Sequence, residues 1–207
     1  LLSDSYLKPL SQKLSLNKCI SIKPLIIKNP TKESSETTNF TVMDKKGNTV
    51  VMTITLNGRY GSGVTSNKYG IALNNEMDDF TTVPNAPNMF GLMQGPGNLV
   101  AAGKRPLSSM SPTIITKNGE TVLAAGGAGG PRIISGVFQT WYRVLNNQLD
   151  IDRSIQMPRV HHQFEPDSVY VDTFMSADTQ LGLKKLGHTV EPSWEAKING
   201  ITRDPAT

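Results

Sequence analysis

An α+β fold is the class this sequence predicts, and three patterns point to it. Apolar residues alternate with others from Phe40 to Leu56 on either side of Lys45-Lys46-Gly47-Asn48, the grammar of two strands joined by a tight turn. A second hairpin runs from Thr113 to Ala125 around Lys117-Asn118-Gly119-Glu120. Directly behind it, a glycine run gives way to apolar residues at helical spacing between Ile133 and Leu145, so the period switches from 2 to 3.6. Strands and helices that follow one another in runs of this kind read as α+β.

Taken in order, residues 1–36 combine Ser, Lys and Pro with short apolar pieces and close on Asn29-Pro30-Thr31-Lys32-Glu33-Ser34-Ser35-Glu36, the composition of an exposed connector. The pattern changes at Thr37, where the first hairpin begins, with Phe40, Val42, Val50, Met52, Ile54 and Leu56 as its alternating apolar set. Between Phe80 and Arg105 lies a long stretch rich in Pro, Asn and Gly; a loop of that length in a compact domain is usually functional or disordered. The second hairpin leads into Gly126-Gly127-Ala128-Gly129-Gly130-Pro131, with Pro131 suited to the first turn of the helix that follows. Ile133, Ile134, Val137, Phe138, Trp141, Val144 and Leu145 mark that helix. A strand over Ser168 to Thr173, a helix over Ala177 to Leu186 and a short strand near His188 to Glu191 complete the reading.

Composition narrows the function classes. The 207 residues are 37% hydrophobic and 18% charged, enough for one sizeable core and unlike a disordered or fibrous chain. The unbroken apolar runs fall far short of the ~20 residues of a membrane span. One cysteine, Cys19, excludes an internal disulfide and a thiolate-rich zinc site. A start at Leu1 rather than Met is expected of a processed product or fragment, so a missing leader carries no information. The net charge of +4 suggests nucleic acid only until it is located. Residues 1–32 hold six lysines against the single acid Asp4, so the remainder is nearly neutral. Those lysines are spread through a stretch with one aromatic, Tyr6, and form neither a stacking platform nor a compact basic face.

The glycine turn offers backbone N–H groups at a helix N-terminus. A dinucleotide fingerprint starting at Gly127 would need glycine where Arg132 stands, and Gly-Lys-Ser/Thr is absent. Gly129 and Gly130 could stabilise an oxyanion, while close helix–strand packing explains the small residues equally simply. His161 and His162 point to opposite faces of an extended segment, which favours structural roles over a metal pair. Asn74-Asn75-Glu76-Met77-Asp78-Asp79 groups three carboxylates that suit a substrate ammonium, a cation or a solvated turn. Thr37 lies where connector becomes strand. Freed at an N-terminus, a threonine carries its own base, an α-amino group of pKa ~8. On physical grounds alone an ordinary strand threonine remains the simpler reading.

Five segments together carry a family resemblance: Thr37-Thr38-Asn39-Phe40, Thr55-Leu56-Asn57, Leu73 to Phe80, Lys104 to Thr113 and Pro158-Arg159-Val160-His161-His162-Gln163. In order and spacing they resemble the small subunit of γ-glutamyltransferases, over Thr37 to about Glu191, and Lys-Arg-Pro-Leu-Ser-Ser-Met-Ser-Pro-Thr is the most specific of them. The resemblance implies an N-terminal nucleophile hydrolase fold, a four-layer αββα sandwich, in a precursor that cleaves itself before the threonine. Residues 1–36 would end the large subunit or form the linker before the processing site, and residues 37–207 would be the catalytic small subunit. Thr37 would be both processing and catalytic nucleophile, forming a γ-glutamyl ester that passes to water or an acceptor amine, with Thr55 holding it. Asn57, Glu76 and Asp79 would grip the α-amino end of the glutamyl group, Ser108 and Ser109 its carboxylate, and Gly129 and Gly130 would form the oxyanion hole.

The same resemblance implies glutathione or related γ-glutamyl amides as substrates, a large subunit of the same precursor as partner, and no cofactor, metal, nucleic acid or membrane. Microbial relatives are commonly periplasmic or secreted. Two departures bear on chemistry. Gly127-Ala128 stands where many bacterial members have Ser-Pro, and Phe90 stands where many have a lid-loop tyrosine that bonds the counterpart of Asn57. Gly200 to Pro205 resembles a late family segment after a short connection. An acylase for glutaryl or polyglutamyl substrates, and an unprocessed relative that only binds, are the alternatives.

Overall fold

In a computed structural model, residues 3–12, 14–18, 37–84, 86–193 and 196–204 are described. The bond between Glu36 and Thr37, and most of the connector, lie outside them. Within the connector, Asp4–Ser11 forms a short helix, α1, with Lys8 and Asp4 paired at 3.1 Å on its exposed surface.

Both predicted hairpins form. Strand β1 (Thr38–Met43) pairs antiparallel with β2 (Thr49–Ile54), Thr38 opposite Ile54 and Val42 opposite Val50. Asp44 shapes the turn by accepting from the amides of Lys46 and Asn48 at 2.8 and 2.9 Å. The second hairpin joins β3 (Thr113–Lys117) to β4 (Glu120–Ala128). On its other side β4 pairs with β8 (Lys197–Thr202), Gly126 opposite Asn199, a strand that sequence patterning did not single out.

The two sheets stack face to face because β4 carries almost no side chain there. A Cβ on Gly126 would sit 2.3 Å from Asn39 Nδ2 and 2.9 Å from Val51 Cγ1, so only glycine permits this approach. Asn199 Nδ2 also donates to the Asn39 carbonyl at 2.8 Å, tying β8 to β1. The opposite face of β4 meets helix α2 (Arg132–Asn147), and Leu123, Ala125, Ile133, Val137, Ala196 and Ile198 close the core between them. Gly127 is held to glycine on that side by Ile198 Cδ1 and the Lys197 carbonyl. Packing therefore accounts for Gly126 and Gly127, as the small-residue reading expects.

Helix α3 (Ile151–Gln156), capped by the Asp150 carboxylate at 2.7 Å from Arg153 N, packs beside α2. A small mixed sheet lies beyond: β5 (Val160–His161) runs antiparallel to β6 (Val169–Asp172), and β6 is parallel to β7 (Val190–Ser193) through helix α4 (Ala177–Lys185). The strand near His188 to Glu191 thus starts two residues later than expected.

Three layers are therefore present: β1–β2, then β3–β4–β8, then α2 with α3. The outward face of β1–β2 is apolar, with Phe40, Val42, Val50, Met52 and Ile54 each 40–55% exposed. Helix α2 likewise shows Ile134, Phe138, Tyr142 and Leu145 on its open side, so its apolar stripe is wider than the face it buries.

Candidate functional site

Thr37 ends at the mouth of the two stacked sheets, and its hydroxyl donates to Thr55 Oγ1 at 3.2 Å. The same Thr55 oxygen accepts from Asn57 N at 2.9 Å. Asn57 is buried and adopts φ 70°, a left-handed conformation that asparagine tolerates better than most residues. Its Nδ2 donates to the Asn75 carbonyl at 3.2 Å, and Gly58 N donates to Asn75 Oδ1 at 2.7 Å. The strand end that carries Thr55 is thereby fastened to the segment that opens the acidic turn.

That turn is a single 3-10 coil, Glu76–Asp79. Three acids in four residues repel one another, and burial, a hydrogen bond with Glu76 and the charges of Glu76 and Asp78 push the Asp79 carboxyl up to about 7. Glu76 Oε1 is buried with no hydrogen-bond partner. Such a pair is short of donors, and an ammonium group would supply them. Asn98, absent from the sequence-level candidates, bridges the site: its Nδ2 donates to the Asp79 carbonyl at 2.7 Å and its Oδ1 accepts from Leu107 N at 3.0 Å. Buried Asn98 thus sets the spacing between the acidic turn and Ser108-Ser109.

Thr37, Thr55, Asn57, Glu76, Asp79, Phe90, Ser108, Ser109 and Gly130 share the wall of one small cavity of about 30 Å³, with Met110 and Ile133. Of the sequence-level candidates, Gly129 alone is not on that wall. It stands one residue back with φ 142°, and its carbonyl accepts from Arg132 N at 3.2 Å as the helix begins. Gly130 adopts φ 55° and faces the Phe90 ring, which a Cβ there would meet at 3.1 Å. The glycine run therefore divides, Gly126 and Gly127 spent on packing and Gly130 at the cavity. Asp79, Ser108 and Ser109 also line an adjoining cleft of about 520 Å³ with apolar walls from Leu92, Leu107, Ile134 and Phe138. Among the described residues no group of three His, Cys, Asp or Glu side chains is arranged to hold a metal ion.

The two histidines separate as their alternation requires. His162 faces outward to Asp167 at 3.2 Å, while His161 is buried between Ser135 and Gln163. Burial above all lowers the His161 pKa to about 4; the hydrogen bond with Gln163 pulls the other way, and the nearby Arg132 and His162 charges add smaller downward pushes.

A family profile described as γ-glutamyltranspeptidase matches residues 1–207. The chain belongs to the γ-glutamyltranspeptidase family. Two curated relatives, each named glutathione hydrolase proenzyme, show the extent of the likeness. The one from Pseudomonas sp. (strain A14) is 44% identical over 167 residues, which is 80% of this chain and 28% of the relative. The one from Escherichia coli (strain K12) is 41% identical over 194 residues, 92% of this chain and 33% of the relative. The chain thus spans about a third of the length of such relatives. Among solved structures, a γ-glutamyltranspeptidase of Helicobacter pylori superposes with a TM-score of 0.78 at 40% identity, over 81% of this chain and 91% of that one. The fold is accordingly that of the N-terminal nucleophile hydrolases. Among the described residues three of the four expected αββα layers are present, and the apolar outward face of β1–β2 carries no helix.

Proposed function

We propose that this chain, with the remainder of a longer precursor, forms a γ-glutamyltransferase that cleaves γ-glutamyl amides such as glutathione after autocatalytic cleavage before Thr37. The observation that carries the reading is the 3.2 Å bond from Thr37 Oγ1 to Thr55 Oγ1 on a cavity wall shared with Glu76, Asp79, Ser108 and Ser109. Residues 1–36 end or follow the large subunit, and residues 37–207 form the catalytic small subunit. The apolar outward face of β1–β2 supports a partner of this kind, since an exposed patch of that size normally meets another surface.

In the precursor the Thr37 hydroxyl attacks the carbonyl before it, and an N-to-O acyl shift followed by hydrolysis leaves a free α-amino group. That amine takes the hydroxyl proton when Thr37 attacks the γ-carbonyl of a substrate. The amide nitrogen leaves protonated, a γ-glutamyl ester remains on Thr37, and water or an acceptor amine then releases it. Gly129 and Gly130 N–H groups offset the charge on the tetrahedral oxygen. Asn57, Glu76 and Asp79 accept from the substrate ammonium, while Ser108 and Ser109 donate to its carboxylate. Phe90, on the loop over Gly130, closes the site. The acid pair favours a γ-glutamyl over a glutaryl group, which has no ammonium to satisfy Glu76 and Asp79.

The test is the mass of the purified full-length precursor together with a γ-glutamyl anilide assay. Two chains starting and ending at the Glu36–Thr37 bond, with anilide release that glycylglycine accelerates, are expected. A single uncleaved chain without turnover would leave a binding module instead.

A further inference from the structure

The loop over the cavity is a compact turn. Phe90 N and Leu92 N both donate to Asn88 Oδ1 at 3.0 Å, and Gly91 N donates to the Asn88 carbonyl at 2.9 Å. Met89 N donates to Asp78 Oδ2 at 3.0 Å, which fastens one flank of the turn to the acidic coil. The other flank is held from the far side of the helix layer, where Gln163 Nε2 donates to the Phe90 carbonyl at 3.1 Å across 73 residues of sequence.

The Gln163 amide can point only one way. Its Nε2 also donates to the Glu165 carbonyl at 3.1 Å, so both neighbours on that side are acceptors and Oε1 must face His161 Nε2, 3.0 Å away. An acceptor there requires Nε2 to carry the ring hydrogen. In the neutral ring Nδ1 is then bare and accepts from Ser135 Oγ at 2.8 Å, the shorter of that hydroxyl's two contacts, the Arg132 carbonyl lying at 3.2 Å. The ring is held flat by stacking on Tyr170, with centroids 6.3 Å apart. Ser135 sits in the first turns of α2, and with His161 and Gln163 it lines the adjoining cleft of about 520 Å³.

Resting on the γ-glutamyl transfer reading, we propose that Gln163 is a positioning residue that latches the Asn88–Leu92 loop over the catalytic cavity through the Phe90 carbonyl, with Ser135 and His161 fixing the amide orientation this needs. A phenyl ring at position 90 has no hydroxyl with which to close the loop, and the main-chain bond does it instead. Loop closure excludes water from an acyl ester, so the latch governs how the ester divides between water and amine.

The test uses the complete processed protein with Gln163→Leu, Gln163→Glu and Ser135→Ala. Hydrogen exchange is followed by mass spectrometry in peptides covering Asn88–Leu92, with peptides from β1 and β2 as reference. Loss of one neutral hydrogen bond should speed exchange in the loop by roughly fivefold. The reference strands should be unchanged. Gln163→Glu should match Gln163→Leu, because a carboxylate oxygen has no hydrogen to offer the Phe90 carbonyl. Both should raise hydrolysis relative to transfer with glycylglycine. Ser135→Ala should move the loop in the same direction. Unchanged loop exchange in the Gln163 variants, or acceleration spread evenly through β1 and β2, would overturn the latch. An unmoved loop in Ser135→Ala would overturn the relay behind it. Exchange needs no turnover, so a wild-type protein inactive on the anilide would defeat the transfer reading while the latch is still decided.

Discussion

Thr55 Oγ1 accepts from Thr37 Oγ1 at 3.2 Å and from the Asn57 amide at 2.9 Å, so one hydroxyl oxygen couples the strand-end threonine to the left-handed asparagine beside it. That coupling fixes the rotamer of Thr37 without touching its backbone nitrogen, the group that the proposed chemistry needs free.

Thr55→Val keeps the shape and removes the acceptor. With each neutral hydrogen bond worth ~1 kcal/mol, kcat for a γ-glutamyl anilide should drop about five- to tenfold with KM little changed. Thr55→Ser should retain most activity. In the precursor, Thr37→Ala should remain one polypeptide on a denaturing gel, and cleavage of that variant at the same bond would point to an external protease.

Asp79 carries a proton below about 7, well above the ordinary aspartate value of 3.8. A substrate ammonium needs the ionised form, so Asp79 protonation should steepen the fall in kcat/KM as pH drops through that range, beyond the single limb that the Thr37 α-amino base of pKa ~8 sets by itself. Asp79→Asn should lose the Asp79 share of that acid limb, keeping only the one set by the α-amino base, and at least tenfold in kcat/KM, in line with ~1.5 to 3 kcal/mol for a charge-assisted contact. A pH profile in Asp79→Asn identical to wild type would remove Asp79 from substrate binding.

Two glycines of one run should fail differently. Gly126→Ala drives a methyl into Asn39 and Val51 between the sheets, an overpacking cost of about 1 to 3 kcal/mol that denaturant unfolding should register. Gly130→Ala pushes on the Phe90 ring and strains φ 55°, so its larger effect should be on kcat/KM. Equal losses of stability and activity in both variants would contradict this division.

A charge on the outward face of β1–β2 should prevent assembly with the rest of the precursor. Met52→Glu with Val50→Lys leaves the inner packing untouched but would bury two charges under any covering layer, at a cost of several kcal/mol. The two subunits of the processed protein should then no longer co-purify. Normal co-purification would mean that this face stays open to water.

Much of the fold was legible because its signals are local. Alternation around Lys45-Lys46-Gly47-Asn48 and Lys117-Asn118-Gly119-Glu120 marks both hairpins, and Pro131 opens α2 where its fixed φ fits. Asp150 ahead of Ile151 is a local capping signal, and its carboxylate opens α3. Helix α1 lies inside a stretch of connector-like composition, and Pro9 within it obscures any helical pattern. Strand β8 had little local signal, because Lys-Ile-Asn-Gly-Ile-Thr gains its strand character from pairing with β4 and from burying Ile198 under α2.

By itself, then, the sequence determined the order of the hairpins and the main helix, and through its motifs the family and the residues to watch. Period two tells which side chains share a face of a strand but not which face a neighbour covers, so the outward turn of Phe40, Met52 and Ile54 was decided only by sheet stacking at Gly126. The gathering of Thr37 with Asp79 and Ser108, the bridging by Asn98 and the hold of Gln163 on Phe90 were likewise decided in three dimensions. Each depends on directed bonds between residues far apart in the chain, and such bonds leave no period or composition for a sequence to display.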